Sequence, residues 1–206
     1  MRKYILSIIV FCFAAGSPAA AQSADFSYSQ YEALLKRYVK LGVKINGIGV
    51  NAVDYAALAQ DSSYSLLLKE LAAFDPATLG SREEKMAFWI NVYNIAAIKT
   101  IVDHYPVDSI RSRKINWLGL PWGRKATTVG GKEYTLEEIE FRELVEGFKD
   151  LRIHFGINCA SVSCVDLPIE PFRADKLDRQ LEEQGKRFLA SREKGIRIDR
   201  KENTVS

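Results

Sequence analysis

The sequence predicts an α+β fold, a single domain whose helices pack on a small, mainly antiparallel sheet. Three observations predict it. Ser29 with Glu32, Ser81 with Glu84, and Thr135 with Glu138 each form a capping-box pattern, in which a hydroxyl and a carboxylate three residues on satisfy one another's backbone N–H at a helix start. The dipeptides Asn46-Gly47 and Gly130-Gly131 punctuate short β-prone runs, as hairpin turns do. Helices and strands are interspersed without the regular strand–helix alternation that builds a doubly wound parallel sheet.

The elements follow in order. After Ser29, the residues Tyr31, Leu34, Leu35, Tyr38 and Val39 recur at helical spacing, and Gly42 is the expected stop. Residues 43–50 contain the Asn46-Gly47 turn of a small hairpin. Asp54 caps a short helix to Ala59, and residues 63–74 form another. The strongest helical pattern starts at Ser81 and runs to about His104, where Tyr105-Pro106 stops it. Residues 107–124 carry Trp117, Pro121 and Trp122 and read as an ordered loop, whose aromatics from Trp117 to Trp122 either line a pocket or form a lid on the core. Residues 126–129 and 132–135 form a second hairpin, and Thr135 opens a helix to about Phe148. Residues 152–158 alternate as a strand, with Ile153, Phe155 and Ile157 on one face and His154, Gly156 and Asn158 on the other. A loop with Pro168 and Pro171 leads to a helix from Asp175 carrying Leu177, Leu181 and Phe188, and residues 196–198 suggest a last strand.

The N-terminus reads as an address. Arg2 and Lys3 precede an apolar run over residues 5–15, followed by Pro18 and Ala19-Ala20-Ala21. A basic start, a short apolar core and a small-residue end make a secretory signal peptide over residues 1–21, cleaved after Ala21. The run is short of the roughly 20 residues a membrane span needs. Cys12 is preceded by Phe11 and followed by the cleavage site, so a free product is expected rather than a lipid-anchored one. The expected domain is residues 22–206, periplasmic or secreted, with no later membrane segment. Removing Arg2 and Lys3 leaves 27 basic against 26 acidic residues, so the formal charge falls from +3 to +1. Such a neutral domain lacks the basic footprint of a nucleic-acid binder. No phosphate-cradling loop, dinucleotide fingerprint or recognisable carboxylate pair is present, and no cofactor is expected.

Two features bear on chemistry. Asn91 and Asn94 share one face of the long helix with Ala87, Ile95, Ile98 and Val102. Amides on an apolar stripe are costly unless hydrogen-bonded, so they either tie down a neighbouring backbone or serve a reaction, orienting an imidazole or donating to an oxyanion. The segment from His154 to Cys164 holds one of the two histidines and both cysteines that survive signal removal. It admits three readings. Cys159 and Cys164 form a structural disulfide; a thiolate of Cys159 is activated by His154; or His154 and both thiols hold a metal, for which the spacing is a weak signature. On a straight strand His154 and Cys159 face opposite ways, so the catalytic reading needs a loop starting at about Asn158. His104, at a helix end, is expected to serve as a dipole partner.

The run Phe88-Trp89-Ile90-Asn91-Val92-Tyr93-Asn94, then Thr135 to Glu140, then Arg152-Ile153-His154-Phe155 with Asn158-Cys159-Ala160-Ser161 and Ser163-Cys164, resembles the family called domain of unknown function 547. The resemblance covers about Tyr55 to the end. It implies an exported bacterial protein (plant relatives attach the domain to a coiled coil) and a relation to papain-like and transglutaminase-like cysteine enzymes. Carried over by motif, it implies Cys159 as nucleophile and His154 as base, with Cys164 second because plant relatives carry serine there. Glu140, Asn91 or Asn94 would orient the imidazole. Two positions depart from the family pattern. Val165 stands where proline is usual, which implies a looser loop, and the family continues past Ser206 with an aromatic-rich segment, which implies a truncated C-terminus.

The expected function is a cysteine-dependent hydrolase or acyltransferase acting on a peptide or other amide. The alternative is a non-enzymatic envelope binding or scaffold domain with a Cys159–Cys164 disulfide. The sequence does not specify the oligomeric state.

Overall fold

The computed structural model describes residues 25–195 and the backbone of residues 198–199 and 204–205. The expected signal peptide, residues 1–21, lies outside the described residues.

Helix α1 (Ser29–Tyr38) begins one residue earlier than its predicted cap requires. Burial of Phe26 and Tyr28 sets the angle at which the chain enters, and Tyr28 becomes the N-cap. Ser29 is then inside the helix, its hydroxyl meets Ser27, and Glu32 bonds Lys36 and Arg173 instead. The predicted stop at Gly42 is also displaced. Val39 is already extended, and the chain continues as β1 (Val39–Ile45), which pairs antiparallel with β2 (Ile48–Val53). Gly42, at φ +65°, sits in the bulge between Lys40 and Val43. The predicted turn forms as read: Asn46 and Gly47 both take positive φ, whose twist matches the flanking strands.

Short α2 (Tyr55–Leu58) and α3 (Ser62–Ala73) start at Asp54 and Asp61, whose carboxylates accept the backbone N–H of Ala57 and Ser63. Both halves of the Ser81/Glu84 capping box are made at the start of α4 (Arg82–Val102). Instead of a single apolar stripe, every residue of α4 from Met86 to Ile98 is buried. A helix apolar on all sides belongs in the middle of a fold, and the other elements pack around this one. Phe26, Phe74 and Phe88 form an aromatic cluster there, with the Phe26 ring edge-on to the other two at 5.2 and 5.7 Å.

The second hairpin, β3 (Lys125–Val129) and β4 (Lys132–Thr135), turns through Gly130 and Gly131, both at positive φ. The third capping box also forms, with Thr135 and Glu138 exchanging side-chain and backbone hydrogen bonds. The helix it opens is a π-helix over Glu138–Glu146, rather than the α-helix its period predicts. Its two fully buried residues, Ile139 and Leu144, are five apart, as the wider turn requires.

The predicted strand over residues 152–158 is a 3₁₀ helix, Leu151–Phe155, capped by Asp150. Asp150 accepts the Arg152 N–H and chelates its guanidinium, and this local competitor for backbone hydrogen bonds overrides the period-two pattern. Helix α5 (Leu177–Ala190) follows a 3₁₀ turn at Ala174–Lys176 and buries Leu177 and Leu181. Of the last predicted strand, residues 196–198, only Ile198 is described; it forms a strand with Asp199 that pairs with Thr204–Val205, and Ile196 and Arg197 lie outside the described residues. The fold is thus α+β. Among the described residues its strands form three separate two-stranded antiparallel ladders, not one sheet. No described helix is long and apolar enough to cross a membrane.

Candidate functional site: a cleft between the π-helix and the cysteine loop

The site starts from two amides. Asn91 is 1 % exposed; its Nδ2 donates to the Phe172 carbonyl at 2.8 Å, and its Oδ1 accepts the Phe172 N–H at 2.9 Å. Asn94, equally buried, repeats the device one turn on, donating to the Gly156 carbonyl at 2.9 Å and accepting the Asn158 N–H at 2.8 Å. Each side chain thus satisfies its own polarity and supplies backbone partners that an irregular segment lacks. The amides bind two points of the chain between residues 156 and 172 to the core helix.

Asn158 continues the chain of bonds. Its Oδ1 accepts the Ala160 N–H at 2.8 Å, and its Nδ2 donates to the Val165 carbonyl at 2.6 Å. The second bond brackets the loop that contains both cysteines. Ala160 takes a left-handed φ of +55°, uncommon outside glycine, to turn the chain between them. Cys159 and Cys164 are joined by a disulfide, with their Cα atoms 6.3 Å apart. Val165, expected to loosen the loop, is buried, and its carbonyl is held by Asn158.

These bonds place the sulfurs against the π-helix. Tyr93, Trp122, Glu140, Phe141, His154, Ile157, Cys159 and Cys164 line one open cleft of about 410 Å³. The 3₁₀ turn changes the facing of the histidine: on a straight strand it points away from Cys159, whereas here both line the same cavity. His154 is exposed, Glu140 and both cysteines are half-buried, and the fully buried Ile153 anchors the turn. Burial pushes the Tyr93 hydroxyl well above its ordinary range; the Glu140 carboxylate adds to that, and a hydrogen bond with Trp122 opposes it. Tyr93 therefore stays a neutral hydroxyl beside Glu140.

Of the residues the sequence singles out, His154, Glu140, Cys159 and Cys164 converge on the cleft. Asn91 and Asn94 do not line it; their amides are engaged by backbone. Trp122 lines the cleft, one of the two roles read for the aromatics of residues 117–122, whereas the aromatic walls Tyr93 and Phe141, and Asn158 as the staple of the loop, are not among the residues the sequence singles out. Exposure of Phe141, at 50 %, follows from the π-turn geometry, which period-3.6 reading does not anticipate. Asn158 was legible in principle, since an Asn directly before a small-residue loop is an Asx-turn former. His104 bonds the Thr100 carbonyl through Nδ1 at the end of α4, in keeping with its expected place. Among the described residues no group of three His, Cys, Asp or Glu side chains is arranged to hold a metal ion.

Fold and site define a small α+β domain that presents a histidine, a carboxylate and a cysteine pair on one cleft. The chain belongs to the family described as "Protein of unknown function, DUF547", whose model matches residues 77–189, more than half of the sequence. No curated protein and no solved structure matches it.

Proposed function

We propose that the cleft is the active site of an exported, periplasmic or secreted cysteine-dependent hydrolase or acyltransferase acting on a peptide or other amide, related in chemistry to papain-like enzymes. The observation that carries this reading is the convergence of His154, Glu140 and Cys159 on one open cavity, an arrangement a purely structural disulfide does not need. The disulfide is the oxidised resting form. A dithiol reductant opens it by exchange, leaving two cysteine thiols and itself becoming a disulfide. His154 then takes the Cys159 proton, and the thiolate adds to the carbonyl carbon of the amide. As the tetrahedral intermediate collapses, the C–N bond breaks and His154 returns the proton to the leaving amine. Water or a second nucleophile, deprotonated by His154, releases the acyl group and regenerates the thiol. Glu140 orients the imidazole, and Trp122 and Phe141 supply apolar walls for the substrate.

The test is labelling of the reduced protein with an electrophilic amide analogue, followed by peptide mass mapping. Cys159→Ala should abolish labelling with the fold retained, whereas Cys164→Ser should keep it; His154→Gln should slow it. Unchanged labelling of Cys159→Ala sinks the proposal.

A second reading is favoured by the S–S bond itself: a non-enzymatic envelope binding or scaffold domain stapled at Cys159 and Cys164. Closing a loop with a sequence separation of 5 stabilises by about 2 kcal/mol on the chain-entropy account. Cys164→Ser should then lower stability by that amount, and the isolated protein should take up no alkylating agent before reduction. An unaltered melting temperature counts against this reading.

A further inference from the structure

The loop between α4 and β3 is ordered from within. Ile110, Ile115 and Pro121 are buried, and turns at Ser109–Ser112 and Ser112–Asn116 are closed by backbone bonds. Its tip is a tight turn in which the Gly119 N–H donates to the Asn116 carbonyl at 2.8 Å, and the Asn116 side chain accepts the Leu118 N–H at 2.9 Å. The two central positions of that turn are Trp117 and Leu118, 77 % and 60 % exposed, and Leu120 beside them is 55 % exposed. The buried anchors account for the order of the loop. They do not account for three large apolar side chains held out in water at its tip, an arrangement that marks an interaction site.

The rim gives the partner's chemistry. Arg111, Arg113, Lys114, Arg124 and Lys125 are all exposed within the same loop and its exit, against two acidic residues, Asp108 and Asp103, the latter paired with Lys99. Lys125 is paired with Glu133. Arg111 lies over the Trp122 ring, Lys114 holds the Pro106 carbonyl and Arg124 the Ile115 carbonyl. Among the described residues neither these three nor Arg113 has a carboxylate in an ion pair. An indole and two leucines ringed by unneutralised cations match the boundary of an anionic bilayer, where apolar groups enter the acyl region and cations meet phosphate headgroups.

We propose that the loop of residues 109–125 docks this protein on an anionic lipid surface, with Trp117, Leu118 and Leu120 inserted and Arg111, Arg113, Lys114 and Arg124 on the headgroups. Trp122, within that loop, also lines the cleft. The proposal does not depend on the chemistry of the cleft.

The experiment is tryptophan fluorescence of the full chain with vesicles of neutral phosphatidylcholine, or of the same lipid with a third phosphatidylglycerol, carrying brominated acyl chains. Bromine quenching is expected with the anionic vesicles only, and it should be lost in Trp117→Phe. Leu118→Asp should weaken binding at least tenfold, and each of Arg113→Gln and Lys114→Gln about fivefold at low salt. Because these side chains are exposed, the variants should melt with wild type. Absence of quenching, quenching unchanged in Trp117→Phe, or equal affinity for neutral vesicles would overturn the proposal. So would a concentration-dependent self-association removed by Leu118→Asp in a protein that ignores both vesicles, since the tip would then serve a second copy.

Discussion

Replacing Asn94 by alanine tests the claim that the site is hung from the core helix by side-chain amides. Asn94 is 1 % exposed and makes two bonds, to the Gly156 carbonyl and from the Asn158 N–H. Truncation leaves both backbone groups without a partner. Each unsatisfied buried group costs about 1–3 kcal/mol, so a loss of about 2–6 kcal/mol is expected, a large part of the 5–15 kcal/mol typical of a domain. For a chain of this size each kcal/mol is worth about 2–4 °C, which places the melting temperature roughly 4–24 °C lower. The assay is urea unfolding followed by far-ultraviolet circular dichroism under oxidising conditions, so that the disulfide stays constant. Asn94→Asp separates the two bonds: it keeps an acceptor for the Asn158 N–H and loses the donor to Gly156, at the further cost of a buried charge. A midpoint for Asn94→Ala indistinguishable from wild type would refute the clamp argument.

Two further predictions follow from the same geometry. A Cβ on Gly156 would sit 3.0 Å from Ile90 Cγ2 and 3.1 Å from Leu181 Cδ2, so Gly156→Ala should destabilise by about 1–3 kcal/mol in the same unfolding assay; a neutral effect would mean that the turn is free to move off α4. Asp61 is held down at about 2 by the Ser63 N–H, then by the Tyr38 hydroxyl, against an ordinary aspartate near 3.9. Its contribution is fully present above the ordinary value and is lost as pH falls through the folded one, so between about pH 4 and pH 2 wild type should lose more stability than Asp61→Asn, which keeps a capping oxygen. Parallel acid limbs would show that Asp61 does not carry that loss.

Where local chemistry and tertiary packing agreed, the fold was legible in the sequence. Two of the three capping boxes, the Asn46-Gly47 and Gly130-Gly131 turns and the Asp54 cap all form where residue type and spacing place them. The misreadings arise where one local pattern is overruled by a competing contact or by a change of helix pitch. Ser29 fails as a cap because buried Phe26 and Tyr28 start the helix one residue sooner. Residues 152–158 alternate like a strand, yet Asp150 and Arg152 close a 3₁₀ turn at Leu151–Phe155. The π-helix keeps its predicted start and changes its pitch, which no capping signal encodes. At the site, the chemistry-bearing residues were legible by type, because histidine and cysteine are scarce in this chain. Which of them share a cavity was not, since that depends on the turn at Leu151–Phe155 and on the pitch of the π-helix.

The bonds around the cysteine loop bear on how chemistry and fold are coupled. If the S–S bond alone held the loop, reduction would scatter the two sulfurs, and a thiol mechanism would require the site to reassemble. Asn158 argues otherwise. Its Nδ2 spans from just before Cys159 to the Val165 carbonyl just after Cys164, and Asn94 holds its own backbone to the core helix. The loop is therefore closed by a side-chain bond in parallel with the disulfide, and breaking one link leaves the other. The entropy that the disulfide removes from the unfolded chain is lost on reduction, whereas the enclosure of the loop in the folded state is retained. The cleft can thus persist with free thiols, a condition that nucleophilic use of Cys159 imposes and a purely structural staple does not.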